Sequence, residues 1–227
     1  MKFENKAEIG NGIYTLPDLA SILDLDYYKV SKLLNEYWNK RLADNFGSKY
    51  SWSIGKNKAV SFHTLVEFYM FYQLKESGVT TQSILKAHRE LSETYLTPFP
   101  FAKSEILERI SCFGKKIVLE ISEDLIINLD STKQLNLKFI KNFMHKLDFD
   151  SNNLAKRLYP LGKKNSVVVD PKHQFGQPTL KGTNLFPETI FNLYNNEESK
   201  KFIASSYDIS VKQVNDAINY CKSKNAA

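Results

Sequence analysis

Apolar residues at Val30, Leu33, Leu34, Tyr37 and Trp38 repeat at i, i+3, i+4, i+7 and i+8 and predict an amphipathic helix. A shorter predicted helix precedes it, with Leu19, Ile22 and Leu23 on its apolar face. Thr15 followed three residues on by Asp18 is a T-x-x-D cap signature, and Pro17 falls in the first turn, where its missing N–H costs nothing. Asp24-Leu25-Asp26 reads as the connecting turn, with Asp26 as N-cap of the second helix. A short helix, a brief turn and a second capped helix make a helix-turn-helix candidate, although an ordinary antiparallel helix pair fits this segment equally well. The period then changes. "YSWSIGKNKAVSF" alternates as two short strands around Gly55-Lys56-Asn57-Lys58, a hairpin signal. A hairpin directly after a helix-turn-helix is a wing, which tips the reading toward a winged helix-turn-helix.

Two further helices are predicted in "SFHTLVEFYMFYQLKESGVTTQSILKAHRELSETYL", the first ending at Gly78 and the second capped by Thr80 or Thr81. The first is apolar almost all round from Leu65 to Leu74, so it needs either a self-association surface or cover from later segments. With the two-fold logic of paired DNA half-sites, this motivates a homodimer expectation. Two prolines in "LTPFPFAKSEI" break the helix; "KKIVLEISEDLIINLD" reads as a hairpin and "LNLKFIKNFMHKL" as a helix. Residues 152–164, "NNLAKRLYPLGKK", carry Lys156, Arg157, Lys163 and Lys164 and no acid, and read as a basic linker holding a domain boundary. Beyond it, "VVVDPKHQFGQPTLKGTN" is a strand running into a Gly- and Pro-rich loop. Three helices are predicted to follow, the last opened by a Ser210/Gln213 capping box. The last two helices form a second helix-turn-helix candidate around Asp208-Ile209-Ser210.

Composition narrows the chemistry. The net charge of +6 permits a polyanionic partner. Between Asp24 and Lys58 seven basic residues face four acidic ones, a balance of +3 and half the excess of the whole chain, as phosphate neutralisation requires. Tyr27, Tyr28, Lys29, Ser31 and Lys32 open the second helix, where a recognition helix presents its N-terminal residues to the major groove. Lys56 and Lys58 lie at the wing tip, completing the candidate DNA-binding set. Lys156, Arg157, Lys163 and Lys164 are candidate partner-binding residues that steer DNA, enter the acidic site of a nuclease partner, or form a solvated linker. Cys112 and Cys221 are far apart and in no CxxC pair, and read as buried thiols in a reducing compartment. No signal peptide or membrane-spanning stretch is visible, so a cytoplasmic protein without membrane contact is expected. His63, His88, His145 and His173 lack metal-ligand spacing, and neither metal nor cofactor is expected.

The glycines of the quoted loop do not follow a P-loop's spacing, and Asp170 with His173 lacks a nucleophile or second acid. No catalytic residue is assigned. The stretch reads as a structured turn packing a strand against the last helices.

Asp170-Pro171, Gly176-Gln177-Pro178, Gly182-Thr183 and the run from Ile209 to Tyr220 together resemble domain of unknown function 433. That family usually has arginine after Gly-Thr, where this chain has Asn184. "YTLPDLASIL" with "SFHTLVEFYMFYQLKESGVTTQSILKAHREL" looks like the winged helix-turn-helix of MerR-type regulators. The combination is similar to VapB-type antitoxins paired with PIN-domain ribonuclease toxins. The resemblance implies DNA binding at the protein's own promoter, repression of its own operon and neutralisation of a PIN-type toxin, without enzymatic activity. A protein-interaction module that has lost DNA contact is the competing reading. The expected fold is mainly α with short β-hairpins (α+β). It has a MerR-like winged helix-turn-helix over 1–97, a connecting hairpin, helix and basic linker over 98–165, and a strand plus three-helix, helix-turn-helix-like domain over 166–227.

Overall fold

The computed structural model describes residues 6–113, 116–122, 125–128 and 138–224. The chain adopts the mixed α+β class expected. Strand β1 (Tyr14–Thr15) leads into α1 (Leu16–Leu23), whose capping box is fully formed: Asp18 N–H donates to Thr15 Oγ1, and Asp18 Oδ2 accepts from Thr15 N–H at 2.8 Å. Asp24 takes the left-handed conformation that ends α1, and Asp26 caps α2 (Tyr27–Lys32). The helix continues as a π-helix over Leu33–Leu42. Val30, Leu33, Leu34 and Trp38 are buried as their periodicity predicts.

The hairpin follows as β2 (Trp52–Ile54) and β3 (Asn57–Val60). Ile54 pairs with Asn57, so the turn is only Gly55-Lys56. Gly55 at φ 58° supplies the positive dihedral that a two-residue hairpin turn needs at its first central position. Asn57 and Lys58, expected at the tip, belong to the strand. β3 also pairs with β1, giving the sheet order β1-β3-β2.

Helices α3 (Phe62–Glu76) and α4 (Thr81–Thr94) come next, the second capped by Thr80. The all-round apolar α3 is covered by the chain itself. Leu65, Val66, Phe68, Met70, Phe71 and Leu74 are buried in one core shared with α1, the π-helix, α4 and later segments. The apolar surface that motivated a homodimer is therefore already occupied. At the centre, Glu67 and His88 are both wholly inaccessible, with Glu67 Oε2 2.9 Å from His88 Nε2, an electrostatic contact rather than a linear hydrogen bond. Glu67 Oε1 accepts from the N–H groups of Phe101 (2.8 Å) and Ala102 (3.2 Å).

After α5 (Ser104–Arg109), strands β4 (Ile110–Phe113), β5 (Lys116–Ser122) and β6 (Leu125–Asn128) form an antiparallel sheet that contains the predicted hairpin; its turn at 123–124 lies outside the described residues. Helix α6 (Lys138–His145) matches the predicted helix from residue 138 on, and 135–137 lie outside the described residues. The side chain of Cys112 is likewise outside them.

The basic stretch 152–164 is not an open linker. Strand β8 (Ala155–Leu158) pairs antiparallel with β7 (Leu147–Phe149), and Leu158 bridges to Val169. Ala155 and Leu158, the two ends of β8, are buried while Lys156 is exposed, so buried apolar positions lie beneath the basic composition. Because Ala155, Leu158 and Val169 belong to the first core, a fragment ending near Asp150 would lose part of that core.

Strands β9 (Val167–Val168) and β10 (Thr179–Leu180) pair with each other, and α7 (Pro187–Asn195), α8 (Lys200–Ser206) and α9 (Val211–Lys224) close a second core. Val167 sits in the second core and Val169 in the first. At the end of α9, the Lys224 ammonium donates to the carbonyl of Ile22 at 2.9 Å, at the C-terminal end of α1 where a cation opposes the helix dipole.

Candidate functional site

Asp26 organises the first candidate surface. Its Oδ1 accepts from the N–H groups of Tyr28 (2.8 Å) and Lys29 (3.3 Å), which fixes the start of α2 and aims its first turn at solvent. Tyr27, Tyr28, Lys29 and Lys32 are exposed, Tyr28 by 71%, while Val30 points into the core. Tyr27 is 53% exposed, so both rings meet solvent at the helix start. Lys32 lies 3.9 Å from Glu36, a weak surface pair. Lys56 is exposed at the hairpin turn.

Ser31 and Lys58 have a different position from the one expected. The Lys58 ammonium donates to Asn35 Oδ1, and Asn35 Nδ2 donates to the Ser31 carbonyl (2.9 Å) and hydroxyl (3.2 Å). One turn on, Asn39 Nδ2 donates to Ser51 Oγ at 2.7 Å while Asn39 Oδ1 accepts from Tyr50 N–H at 2.9 Å. Asn35 and Asn39 thus stitch the hairpin to the helix, and Ser31 and Lys58 take part in the bracing. Sequence reasoning missed both asparagines; the available signal was two amides spaced i, i+4 on a helix that precedes a hairpin.

The basic segment is divided in use. Arg157 Nε donates to Asp170 Oδ2 at 2.6 Å, and this bond raises the guanidinium pKa further. Lys163 pairs with Asp148 at 2.8 Å, and Asp148 also accepts from the Tyr159 hydroxyl at 3.0 Å. Lys156 and Lys164 are exposed and form no ion pair among the described residues. The four candidate partner-binding cations therefore do not act as one patch.

The loop after β9 is a structured turn, but its glycine faces the first core rather than the last helices. Gly176, at φ 90°, abuts Tyr14 so closely that a Cβ there would lie 2.1 Å from the phenol oxygen. Tyr14 is wholly buried, its hydroxyl without a hydrogen-bond partner among the described residues. Ile13 N–H donates to the Phe175 carbonyl at 2.8 Å, fixing the same junction. His173 Nε2 lies 2.9 Å from the Thr183 carbonyl, so Asp170 is tied to Arg157 and His173 to the loop. Asn184, where the family has arginine, is exposed. The other histidines pack or face solvent: His63 sits by the Ala155 carbonyl with its pKa lowered by burial, His88 meets Glu67, and His145 is exposed. Cys221 is buried, its thiol pushed up to about 12 by burial first and by Glu188 second. Among the described residues no group of three or more His, Cys, Asp or Glu is placed to hold a metal ion, and no helix is long and apolar enough to cross a membrane.

Asp216 clasps the second unit. Its Oδ2 accepts from Ser166 N–H (2.9 Å), Ser166 Oγ (2.6 Å) and Lys212 Nζ (2.6 Å). Burial alone would raise this carboxyl's pKa, but the bonds from Lys212 and Ser166 outweigh it and hold it below the usual carboxylate value. A carboxylate held low in the folded state adds stability that is present above its unfolded pKa and lost as pH falls through the folded one. Thermal unfolding is therefore expected to show a steeper loss of Tm below about pH 4 in the native chain than in Asp216→Asn; equal slopes would assign the acid sensitivity elsewhere.

Residues 167–221 match the family described as a protein of unknown function, DUF433, within the span where that resemblance was expected. Over 56 residues the chain is 38% identical to the uncharacterized protein Rv2308 of Mycobacterium tuberculosis; the match covers 25% of this chain and 24% of that one. The chain thus spans about a quarter of that relative's length. Its fold is similar to the X-ray crystal structure of Rv2018 from Mycobacterium tuberculosis, with a TM-score of 0.65 and 15% identity over 96% of this chain and 99% of that chain. At that identity the likeness shows the fold alone.

Proposed function

We propose that this chain is a DNA-binding antitoxin and transcriptional regulator, not an enzyme, that represses its own operon through a winged helix-turn-helix at its N-terminal end and neutralises a PIN-type ribonuclease toxin. One observation carries the DNA half: the capped first turn of α2 holds Tyr27, Tyr28, Lys29 and Lys32 in solvent, next to a hairpin braced against the same helix and tipped by Lys56. Aromatic and basic side chains on a helix start suit a major groove, and a basic hairpin suits the adjacent phosphates. The toxin half is supported by the resemblance of the C-terminal stretch. It also fits the charge of Ser166–Tyr220, where six acids and five bases leave little for phosphate binding.

A titration against the protein's own promoter tests the DNA half. Lys29→Ala and Lys32→Ala are each expected to weaken binding by about 1–3 kcal/mol where they reach a base edge. Lys56→Ala should weaken all sequences alike and flatten the salt slope by about one unit. Lys58→Ala should do more than remove a phosphate contact, because it also releases Asn35 and the hairpin. Unchanged affinity in all four variants would favour the second reading, a protein-interaction module without DNA binding. The commitment of Ser31 and Lys58 to internal bonds is the observation on that side.

A further inference from the structure

Between the two cores lies a cleft of about 430 Å³ whose lining includes Arg157, Tyr159, Asp170, Lys172, His173 and Lys181. Asp170, the single carboxylate of that lining, is already spent: one oxygen accepts from Arg157 Nε at 2.6 Å, the other from Lys172 N–H at 3.0 Å. The terminal amino groups of Arg157 make no hydrogen bond among the described residues, and neither Lys172 nor Lys181 has a carboxylate partner among them. Lys181 rests its ammonium 5.9 Å from the centre of the Tyr159 ring. Asp170 therefore orients the guanidinium while leaving its fork available for a second, incoming anion.

Two residues beyond His173, Phe175 is 67% exposed. Gln174 and Phe175 lie at φ 47° and 54°, two successive non-glycine residues in the left-handed region. A turn that had only to reverse the chain would place glycine or asparagine there and would not hold a phenyl ring in water. The strained pair is pinned by Ile13 N–H on the Phe175 carbonyl and by Gly176 N–H on the His173 carbonyl, both 2.8 Å.

We infer that this cleft receives an acidic segment of a protein partner, its carboxylates on Arg157, Lys172 and Lys181 and an apolar side chain against Phe175. A nucleic acid needs a track of phosphate contacts, whereas Arg157, Lys172 and Lys181 are confined to one cleft. A compact cationic pocket with an exposed aromatic ring two residues along the chain from its His173 wall suits a short acidic peptide with an apolar residue. The inference rests on the partner half of the proposed function and is independent of the DNA half.

The test is a nuclear magnetic resonance titration of the full, isotope-labelled chain with a short peptide of glutamates flanking a central leucine. Shifts are expected at the amides of Lys172, Phe175, Gly176, Lys181 and Gly182. Lys172→Glu and Lys181→Glu should each weaken the response on the order of tenfold, and Phe175→Ala should weaken it too. The same peptide with lysine for glutamate should leave these amides unmoved. Promoter binding should survive these three substitutions, while Lys29→Ala should spare the peptide response, so the two halves of the function fail separately. The inference is overturned if the glutamate peptide moves none of these amides. It is equally overturned if an oligonucleotide moves them at lower concentration, or if inorganic phosphate reproduces the whole response irrespective of Phe175.

Discussion

Replacing Glu67 with alanine is expected to cost about 3–5 kcal/mol of folding stability, as removing one partner from a buried polar pair does. Glu67 is the one acid between Leu65 and Leu74 of α3, and burial raises its pKa against the pull of His88 and two backbone N–H groups. The alanine variant takes the carboxylate from the Phe101 N–H, leaves the Ala102 N–H to the Phe99 carbonyl at 3.2 Å, and takes the same carboxylate from the His88 ring, which is walled in by Trp38, Tyr50 and Phe101. The Phe101 N–H and the His88 ring then pay their desolvation with less return. Glu67→Gln keeps an acceptor for both N–H groups and should lose roughly half as much. Urea unfolding of the three proteins decides it, since the expected loss is a large fraction of the roughly 5–15 kcal/mol that holds a domain together. A loss below about 1 kcal/mol in the alanine variant would mean that neither the acid nor its N–H partners are buried as described.

Gly176→Ala is expected to cost about 2–5 kcal/mol, combining the strain of a left-handed alanine with overpacking of a filled site. Its methyl group would lie 2.1 Å from the Tyr14 hydroxyl, and Tyr14 is hemmed from the other side by Gly12, where a Cβ would come within 2.5 Å of the ring. The ring cannot step aside within that slot. Tyr14→Leu combined with Gly176→Ala should recover part of the loss, since the two positions share one volume and their effects do not add. Thermal melts of the two single variants and the double variant give the coupling, and strict additivity would disprove the contact.

These two sites mark where sequence reasoning stopped. The Thr15–Asp18 and Ser210–Gln213 caps and the Asp26 helix start were legible because each is closed within three residues. The helices α8 and α9, on either side of Asp208-Ile209-Ser210, were legible for the same reason. Glu67 and His88 stand 21 positions apart on two helices, and Tyr14 and Gly176 stand 162 apart; no local pattern couples them. Strand β8 was hidden by composition: Lys156 and Arg157 drew attention from Ala155 and Leu158, which are the strand's buried ends. The apolar surplus of α3 was visible, but which segments would cover it was not, because the cover comes from residues as distant as Phe143, Ala155 and Leu158. At the candidate DNA surface, residue type foretold only that Tyr27, Tyr28, Lys29, Lys32 and Lys56 would be exposed. The internal roles of Ser31 and Lys58 depended on Asn35, whose meaning appears only once the hairpin folds back.

The bond from Lys224 to the Ile22 carbonyl spans 202 residues. At roughly 5–20 residues per second of synthesis, the first helix leaves the ribosome about 10–40 s before the lysine that completes its end. During that interval the turn leading into α2 lacks its final tether. A nascent chain thus makes α1 and α2 well before the lysine that ties down the turn between them, so the end of α9 is a condition for the finished end of α1.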